Sequence, residues 1–136
     1  MGCGRVGSAL AHTLDAEGHS VAVIDQGSTA FRKLHTAFGG PTAPGIGFDR
    51  DHLSAAGIQR AHAFAAVSSG DNSNILAARV ARETFGVENV VARIYAPRRA
   101  EVYQRLGIPT VASVAWLWCT PSVASTPTAN ACQRSA

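Results

Sequence analysis

Residues 2–7 read GCGRVG, which places glycines at positions 2, 4 and 7 directly after the first residue. In a G-x-G-x-x-G loop the first glycine permits a tight turn, the second lets a pyrophosphate approach the backbone, and the third lets a helix pack closely on a sheet. The helix after such a loop points its N–H groups and positive dipole end at the phosphates. A strand normally precedes the loop, but only Met1 does so here. The sequence therefore predicts a nucleotide-binding loop whose first strand is missing.

Apolar runs alternate with helical patterns along the rest of the chain, which is typical of a parallel sheet with helices on both faces. We predict helices over residues 4–17, 28–38, 72–85 and 97–107, and a short one capped by Asp49 or Asp51 that ends at Gly57. We predict strands over residues 20–25, 43–48, 63–67, 89–95 and 108–114, the second weakened by Pro44. The fold class is therefore α/β, a Rossmann-like doubly wound parallel sheet.

The last predicted helix and the residues after it mark the end of the domain. The helix that starts at Pro97 is expected to pack inward through Val102 and Leu106. From about residue 117 the chain is rich in Ser, Thr, Ala and Pro and has no periodicity. We predict a nucleotide-binding domain over residues 1–116, truncated at its N-terminus, and a tail over residues 117–136 that is disordered or foreign to the family.

Asp25 supports the nucleotide interpretation of the glycine loop. It ends the predicted strand SVAVID, where a carboxylate can accept hydrogen bonds from a ribose 2′-OH. Its charge also repels a 2′-phosphate, so NAD or an adenosine nucleotide fits better than NADP. Glycines alone also occur in plain turns, and the acid at this distance makes the nucleotide site the better interpretation.

Further polar groups follow other predicted strands at the sheet edge where ligands bind in such folds. They are Asp49, the SSGDNSN turn over residues 68–74, and Arg93 within NVVARIY. Asp71, Asn72 and Asn74 have an alternative role as helix caps. Arg93 has an alternative role in a surface ion pair, although a charged Arg between apolar neighbours favours an anion such as a carboxylate or a phosphate.

Composition narrows the class of protein. The chain has 136 residues, is 46% hydrophobic and carries a net charge of +3, which suits one globular domain. Its basic residues are scattered and no nucleic-acid motif is present, so nucleic acid is not an expected partner.

Three cysteines without metal spacing, in a sequence with no signal peptide, indicate a reducing cytosol. No apolar run approaches the roughly 18 residues of a membrane span.

Groups for catalysis are absent from the sequence. No Cys/His pair, Ser/His/Asp set or Lys suits hydride transfer or hydrolysis, and the five histidines are spread over helices and loops. We therefore predict no catalytic residues and no metal site. A nucleotide site without a catalytic partner is typical of a sensor rather than an enzyme.

Several stretches resemble the RCK domain, also called KTN or TrkA-N, of actinobacterial potassium-uptake regulators. They are GCGRVGSALA, VAVID, GFD, FAAVSSGDNSNILAARVARETFGVENVVARIY and RRAEVYQRLGIPTV. The resemblance covers residues 2–116 and is most specific over residues 63–95. It implies a cytosolic regulatory subunit that binds NAD(H) or ATP/ADP. It further implies a homodimer that assembles into a ring on the inner face of the plasma membrane, beneath an integral-membrane potassium channel or transporter.

The resemblance also implies a role for each site residue. Phosphates would be held by the loop, the adenosine ribose by Asp25, and the adenine would lie near Asp49. The far side of the site would be lined from the SSGDNSN turn, and Arg93 would reach a phosphate. The loop residues are Gly2, Gly4, Arg5, Val6 and Gly7, and the turn residues are Ser68, Ser69, Asp71 and Asn74.

The chain departs from the family pattern in three places. The family has a strand before the glycine loop and an acid where Ala96 stands, and many relatives carry a C-terminal ligand-sensing domain that does not follow here. Two other interpretations stay open at this point. One is a fragment of an NAD-dependent oxidoreductase that has lost its substrate half. The other is a non-functional fragment of a regulator gene with a wrong start and a shifted frame at the end.

Overall fold

The computed structural model describes residues 1–105 and 107–112, and every strand in this part of the chain pairs in parallel. β1 pairs with β2, and β4 pairs with β3 on one side and β5 on the other. The strands are β1 (Val23–Asp25), β2 (Thr42–Pro44), β3 (Ala63–Ala66), β4 (Asn89–Ile94) and β5 (Thr110–Ala112). Parallel pairing confirms the predicted fold class and follows from the alternation of strands with helices.

Met1 and Gly2 lie between the two groups of strands and hydrogen-bond to both. The Met1 nitrogen donates to the Ala65 carbonyl at 2.8 Å, and the Met1 carbonyl accepts from the Val67 N–H at 2.9 Å. On the other side, the Gly2 N–H donates to the Ile24 carbonyl at 2.8 Å. The strands therefore follow the spatial order β2-β1-β3-β4-β5, with residues 1–2 between β1 and β3. The chain proceeds outward in opposite directions from this point, to β1 and β2 on one side and to β3, β4 and β5 on the other. Ligands bind at such a switch point in open α/β sheets.

Helical segments connect the strands. They are α1 (Arg5–Ala16), a 3₁₀ segment (Ser28–Lys33), α2 (Arg50–Ala55), a 3₁₀ turn (Ile58–Arg60), α3 (Asp71–Arg79) with a π-helical continuation (Val80–Thr84), and α4 (Pro97–Arg105). Gly18 follows α1 in a left-handed conformation with φ of 85°, as expected for a glycine that ends a helix. No helix within residues 1–105 and 107–112 is both long and apolar enough to span a membrane.

The two faces of the sheet bury two separate cores. Val23 and Ile24 are neighbours in β1, so their side chains point to opposite faces. Val23 packs with Cys3 and Ala11 of the α1 side, and Ile24 packs with the larger cluster around Leu53. Helices on both faces therefore exclude water from the sheet, as the doubly wound class requires.

The predicted helix over residues 28–38 is wrong in its second half. The structure has only the 3₁₀ segment Ser28–Lys33, and Leu34 is already extended. The N–H of His35 donates to Nε2 of His12 on α1 at 3.1 Å instead of continuing a helical ladder. Apolar packing of Phe31 and Phe38 on the Val23 core reinforces this path. Tertiary contacts thus override a weak local helical pattern.

Two smaller expectations are also corrected. The second strand is Thr42–Pro44 rather than residues 43–48, and its proline is tolerated because β2 lies at the edge of the sheet. Val102 does not pack inward, since it is 55% exposed, whereas α4 buries Ala100 and partly buries Tyr103. The expectation for Leu106, the end of the last strand, the domain boundary and the tail over residues 117–136 lie outside the described residues.

Candidate functional site

Two glycines of the loop are required by close packing, and the third opens a space. Gly2 has φ of 92°, and a Cβ there would lie 2.7 Å from the Ser68 nitrogen. A Cβ on Gly7 would overlap the Gly2 carbonyl oxygen. A Cβ on Gly4 would meet no described atom within 4 Å. The loop thus leaves room for a ligand at Gly4, the position where the motif predicts close approach of a pyrophosphate.

The N-terminus of α1 faces this open space. Its N-cap is Gly4, which has no side chain to accept from the first-turn N–H groups, and the first turn carries no acidic residue. Arg5 is exposed and Val6 is half-buried. The Ser8 hydroxyl donates to the Gly4 carbonyl at 2.9 Å. The N–H groups of residues 5–7 have no side-chain cap and can therefore bind an anion.

Asp25 is fixed beside the glycine loop. Its Oδ2 accepts from the Cys3 N–H at 2.6 Å, and its Oδ1 accepts from the Gly27 N–H at 2.9 Å. Each carboxylate oxygen can accept a second hydrogen bond, so the group can still bind a ribose hydroxyl. Burial, with a smaller contribution from the Asp25 charge, raises the pKa of the Cys3 thiol. Cys3 is therefore a neutral, fully buried part of the loop.

Asp49 caps α2, as predicted. Its Oδ1 accepts from the Asp51 N–H at 3.0 Å, the His52 N–H at 3.1 Å and the His52 ring nitrogen Nδ1 at 3.0 Å. The backbone hydrogen bond from His52 is the main reason why the pKa of Asp49 is lowered. The loop before this cap is tied to β1, because the Gly45 N–H donates to the Asp25 carbonyl at 2.9 Å. Asp49 and Asp25 thus belong to the same side of the glycine loop.

Asn74 holds the turn that faces Gly2. Its Oδ1 accepts from the Ser68 N–H at 2.8 Å and the Ser68 hydroxyl at 2.7 Å. Its Nδ2 donates to the Ser68 carbonyl at 3.0 Å and the Arg93 carbonyl at 2.8 Å. The residue is fully buried, and these four bonds use its entire amide. In this conformation Asn74 offers no free group to a ligand, so its direct contact with a nucleotide stays a prediction.

Asp71 joins α3 to the turn between β4 and α4. Its two carboxylate oxygens accept from the Tyr95 N–H at 2.8 Å and the Ala96 N–H at 3.3 Å. Beside it lies an open cleft of about 470 Å³, lined by Ser69, Gly70, Asp71, Asn72, Ser73, Tyr95 and Arg99. Ser69 and Asp71, both predicted site residues, therefore lie together at the carboxyl ends of β3 and β4.

Arg93 lies on the same side of the site as this cleft. Its guanidinium carbon is 4.1 Å from the centre of the Tyr95 ring, a cation–π contact. Within residues 1–105 and 107–112 Arg93 takes part in no ion pair, so the alternative of a surface ion pair has no support there. Its charge is available to an anionic group.

The predicted site residues thus form two sides around the glycine loop. Asp25 and Asp49 lie on the β1–β2 side, and residues 68–74 and Arg93 lie on the β3–β4 side.

Sequence reasoning missed Tyr95, Arg99 and His52. Tyr95 and Arg99 stand next to predicted strand and helix ends, which was the available signal, whereas the contact of His52 with Asp49 depends on the loop that precedes α2. No cluster of three or more His, Cys, Asp or Glu suited to a metal ion occurs in the described part of the chain.

The sequence matches the family described as the TrkA-N domain over residues 1–114. It is 73% identical over 116 residues to the Trk system potassium uptake protein TrkA of Streptomyces coelicolor, a match that covers 85% of this chain and 52% of that protein. It is 33% identical over 104 residues to the Trk system potassium uptake protein TrkA homolog of Pyrococcus horikoshii, covering 76% of this chain and 46% of the homolog. The chain therefore spans about half the length of the curated relatives it matches.

Solved structures share the fold. The Kef C-terminal domain of Shewanella denitrificans in its AMP-bound form superposes with a TM-score of 0.72 at 22% identity, covering 83% of this chain and 69% of that one. The TrkA-N domain of the Escherichia coli inner membrane protein ybaL gives a TM-score of 0.69 at 20% identity, covering 83% and 84%. These likenesses show a common Rossmann-like domain.

Proposed function

The chain belongs to the TrkA-N domain family, and from this premise we propose that it is a nucleotide-sensing regulatory domain of a potassium uptake system. Its curated relatives are named as potassium uptake proteins, and one structural neighbour is described with bound AMP. The ligand is NAD(H) or ATP/ADP. The domain binds this ligand and catalyses no reaction.

The single observation that carries the nucleotide proposal is the open, uncapped N-terminus of α1 beside Asp25. The N–H groups of residues 5–7 and the positive end of the helix dipole bind the phosphates. Asp25 binds the adenosine ribose, and Asp49 lies by the adenine. On the other side of the loop, residues 68–71 and Arg93 contact the remainder of the ligand, with Asn74 holding Ser68 in place.

Gly4 offers a direct test of where the ligand lies. Gly4→Val places a side chain in the open space and should weaken binding of NADH and ATP at least about tenfold in calorimetry, because the phosphates lose their approach to the backbone. Gly39→Val is the matched control, since a Cβ at Gly39 also meets no described atom within 4 Å. Equal affinity in the Gly4→Val protein would remove the phosphates from this loop.

Asp25 tests the ribose assignment. Asp25→Ala should weaken NADH binding at least about tenfold, because charge-assisted hydrogen bonds to the ribose are lost. It should also reduce the preference for NADH over NADPH, because the repulsion of the 2′-phosphate disappears. A variant that keeps wild-type affinity for NADH would show that the ribose lies elsewhere.

Regulation follows from differential binding. A nucleotide that fits one arrangement of a homodimer or ring better than another shifts the population and gates the transporter on the inner face of the membrane.

NADH mixed with the protein and small carbonyl compounds should show no oxidation at 340 nm. Turnover in that assay would instead favour a fragment of an oxidoreductase.

A further inference from the structure

His52 is placed and oriented by Asp49. Its Nδ1 lies 3.0 Å from Asp49 Oδ1, which also receives backbone N–H bonds. An ionised carboxylate only accepts hydrogen bonds, so Nδ1 must carry the proton of this contact. In the neutral imidazole the other nitrogen, Nε2, is then an acceptor with a free lone pair.

The rest of the ring is positioned by the loop that leads from β2 to α2. A Cβ built on Gly45 would lie 2.7 Å from His52 Cγ and 3.0 Å from His52 Cβ, so this side of the imidazole rests on Gly45. Gly45 is itself bonded to the Asp25 carbonyl at 2.9 Å. The side chain of His52 is 46% exposed, and Nε2 makes no hydrogen bond within the described residues, since the contact with Asp49 is made through Nδ1.

His52 stands at the carboxyl end of β2, because its ring rests on Gly45, the residue after Pro44. With the adenosine ribose on Asp25, at the end of the neighbouring strand, the base is expected to extend toward this edge of the sheet. We propose that His52 selects the base of the ligand: its Nε2 accepts a hydrogen bond from the 6-amino group of adenine. This inference rests on the proposed function and deepens it. His52 is the specificity-determining residue on the β1–β2 side of the site, and Asp49 keeps it in the tautomer that recognises adenine.

The chemistry of position 6 makes the selection sharp. Adenine carries an amino group there and donates, whereas hypoxanthine and guanine carry an oxygen and accept. Two acceptors that face each other repel, so an imidazole whose Nδ1 is committed to Asp49 disfavours a 6-oxopurine. One neutral hydrogen bond corresponds to a preference of about three- to tenfold.

Binding of ATP and ITP provides the test, because the two nucleotides differ at position 6 of the purine. The wild-type protein should bind ATP about three- to tenfold more tightly than ITP in calorimetry. His52→Asn keeps a donor to Asp49 but lacks the second ring nitrogen, so the ratio should fall to about one. Thermal melting of the variant checks that the domain remains folded. An unchanged ratio in a folded variant would overturn the role of His52.

His19→Asn is the matched control. His19 is also a half-exposed histidine beside a carboxylate, 3.7 Å from Glu17, but it lies past the opposite end of α1 from the glycine loop. The ratio of ATP to ITP affinity should be the same in this control as in the wild type. A control that also loses the preference would overturn the assignment to His52.

The wild-type protein allows a second measurement that needs no substitution. In ¹⁵N NMR, Nε2 of His52 should have the shift of an unprotonated nitrogen and should move when ATP binds and less when ITP binds. Equal shifts with both nucleotides would overturn the proposal while leaving nucleotide binding intact. If neither nucleotide binds to the wild type, the proposed function and this inference both fall.

Discussion

At the scale of single residues, the three glycines of the loop have different reasons for being there. Gly2→Ala combines a side chain at positive φ with overlap on the Ser68 backbone, and Gly7→Ala overlaps the Gly2 carbonyl. Each should lower the free energy of unfolding by at least about 2 kcal/mol in urea titration. Gly4→Ala should lower it by no more than about 1 kcal/mol, since its side chain meets open space and the remaining cost is that alanine is a poorer N-cap than glycine. Equal free energies of unfolding in the three variants would contradict this division.

Asn74 is the residue whose chemistry is most tightly specified. Asn74→Asp keeps the shape but sets a carboxylate oxygen against the carbonyls of Ser68 and Arg93. We expect a loss of about 3 kcal/mol in the free energy of unfolding, measured by urea denaturation. Asn72→Asp is the control on the same helix, because Asn72 is exposed near the helix N-terminus and should tolerate a negative charge. Similar losses in both variants would show that the amide network is unimportant.

Residue types at strand ends were predictable, but their partners were not. GCGRVG, Asp25 and the SSGDNSN turn point to the site because glycines and acids have known uses beside strand ends. Which partners the Asn74 amide finds depends on how β3 and β4 pair, and its hydrogen bond to the Arg93 carbonyl joins residues 19 positions apart. Local patterns carry no information about such contacts.

At the scale of elements, the most regular segments were predicted best. Helix α1 and strands β3 and β4 fall within a residue or two of their predicted bounds, because helical periodicity defines α1 and short apolar runs define the two strands. The segment after β1 was predicted poorly, because the His35 N–H donates to His12 instead of to a carbonyl within a helix. Short segments owe their conformation to the surface on which they pack.

The face that α4 buries leads to a prediction at this scale. Val102 is 55% exposed, whereas Ala100 is 6% exposed. Val102→Lys should therefore change the free energy of unfolding by less than about 0.5 kcal/mol, and Ala100→Lys should reduce it by about 3 kcal/mol because it buries a charge. Chemical denaturation of the two variants compares them directly. A larger loss at Val102 would restore the inward packing that the sequence suggested.

At the scale of the whole molecule, ligand binding should stabilise the fold, because the site joins both groups of strands. A ligand at about 100 times its dissociation constant adds about 2.7 kcal/mol to the free energy of unfolding when only the folded state binds it. Scanning calorimetry with NADH, ATP and ADP should show this as a rise in melting temperature. The Gly4→Val protein should show little rise at the same concentrations. A rise of equal size in that variant would place the ligand away from the loop.

The joint between β1 and β3 is a feature of the sheet that the sequence does not report. The alternation of strands and helices implies a crossover at the glycine loop. Whether the two sides would hold together there depends on a few backbone bonds, and the Gly2–Ile24 and Met1–Val67 bonds provide them. No residue type in the sequence reports such bonds, because they use only backbone atoms.

The carboxylate of Asp71 has a consequence for how occupancy of the cleft can be observed. It holds the amide hydrogens of Tyr95 and Ala96, residues about 25 positions further along the chain. Those hydrogens exchange with deuterated solvent only when the carboxylate releases them. A ligand group that draws Asp71 into the cleft would accelerate their exchange, and one that leaves Asp71 in place would slow it. The exchange rates of these two amide hydrogens, just before α4, therefore report whether a ligand occupies the cleft and whether it contacts Asp71.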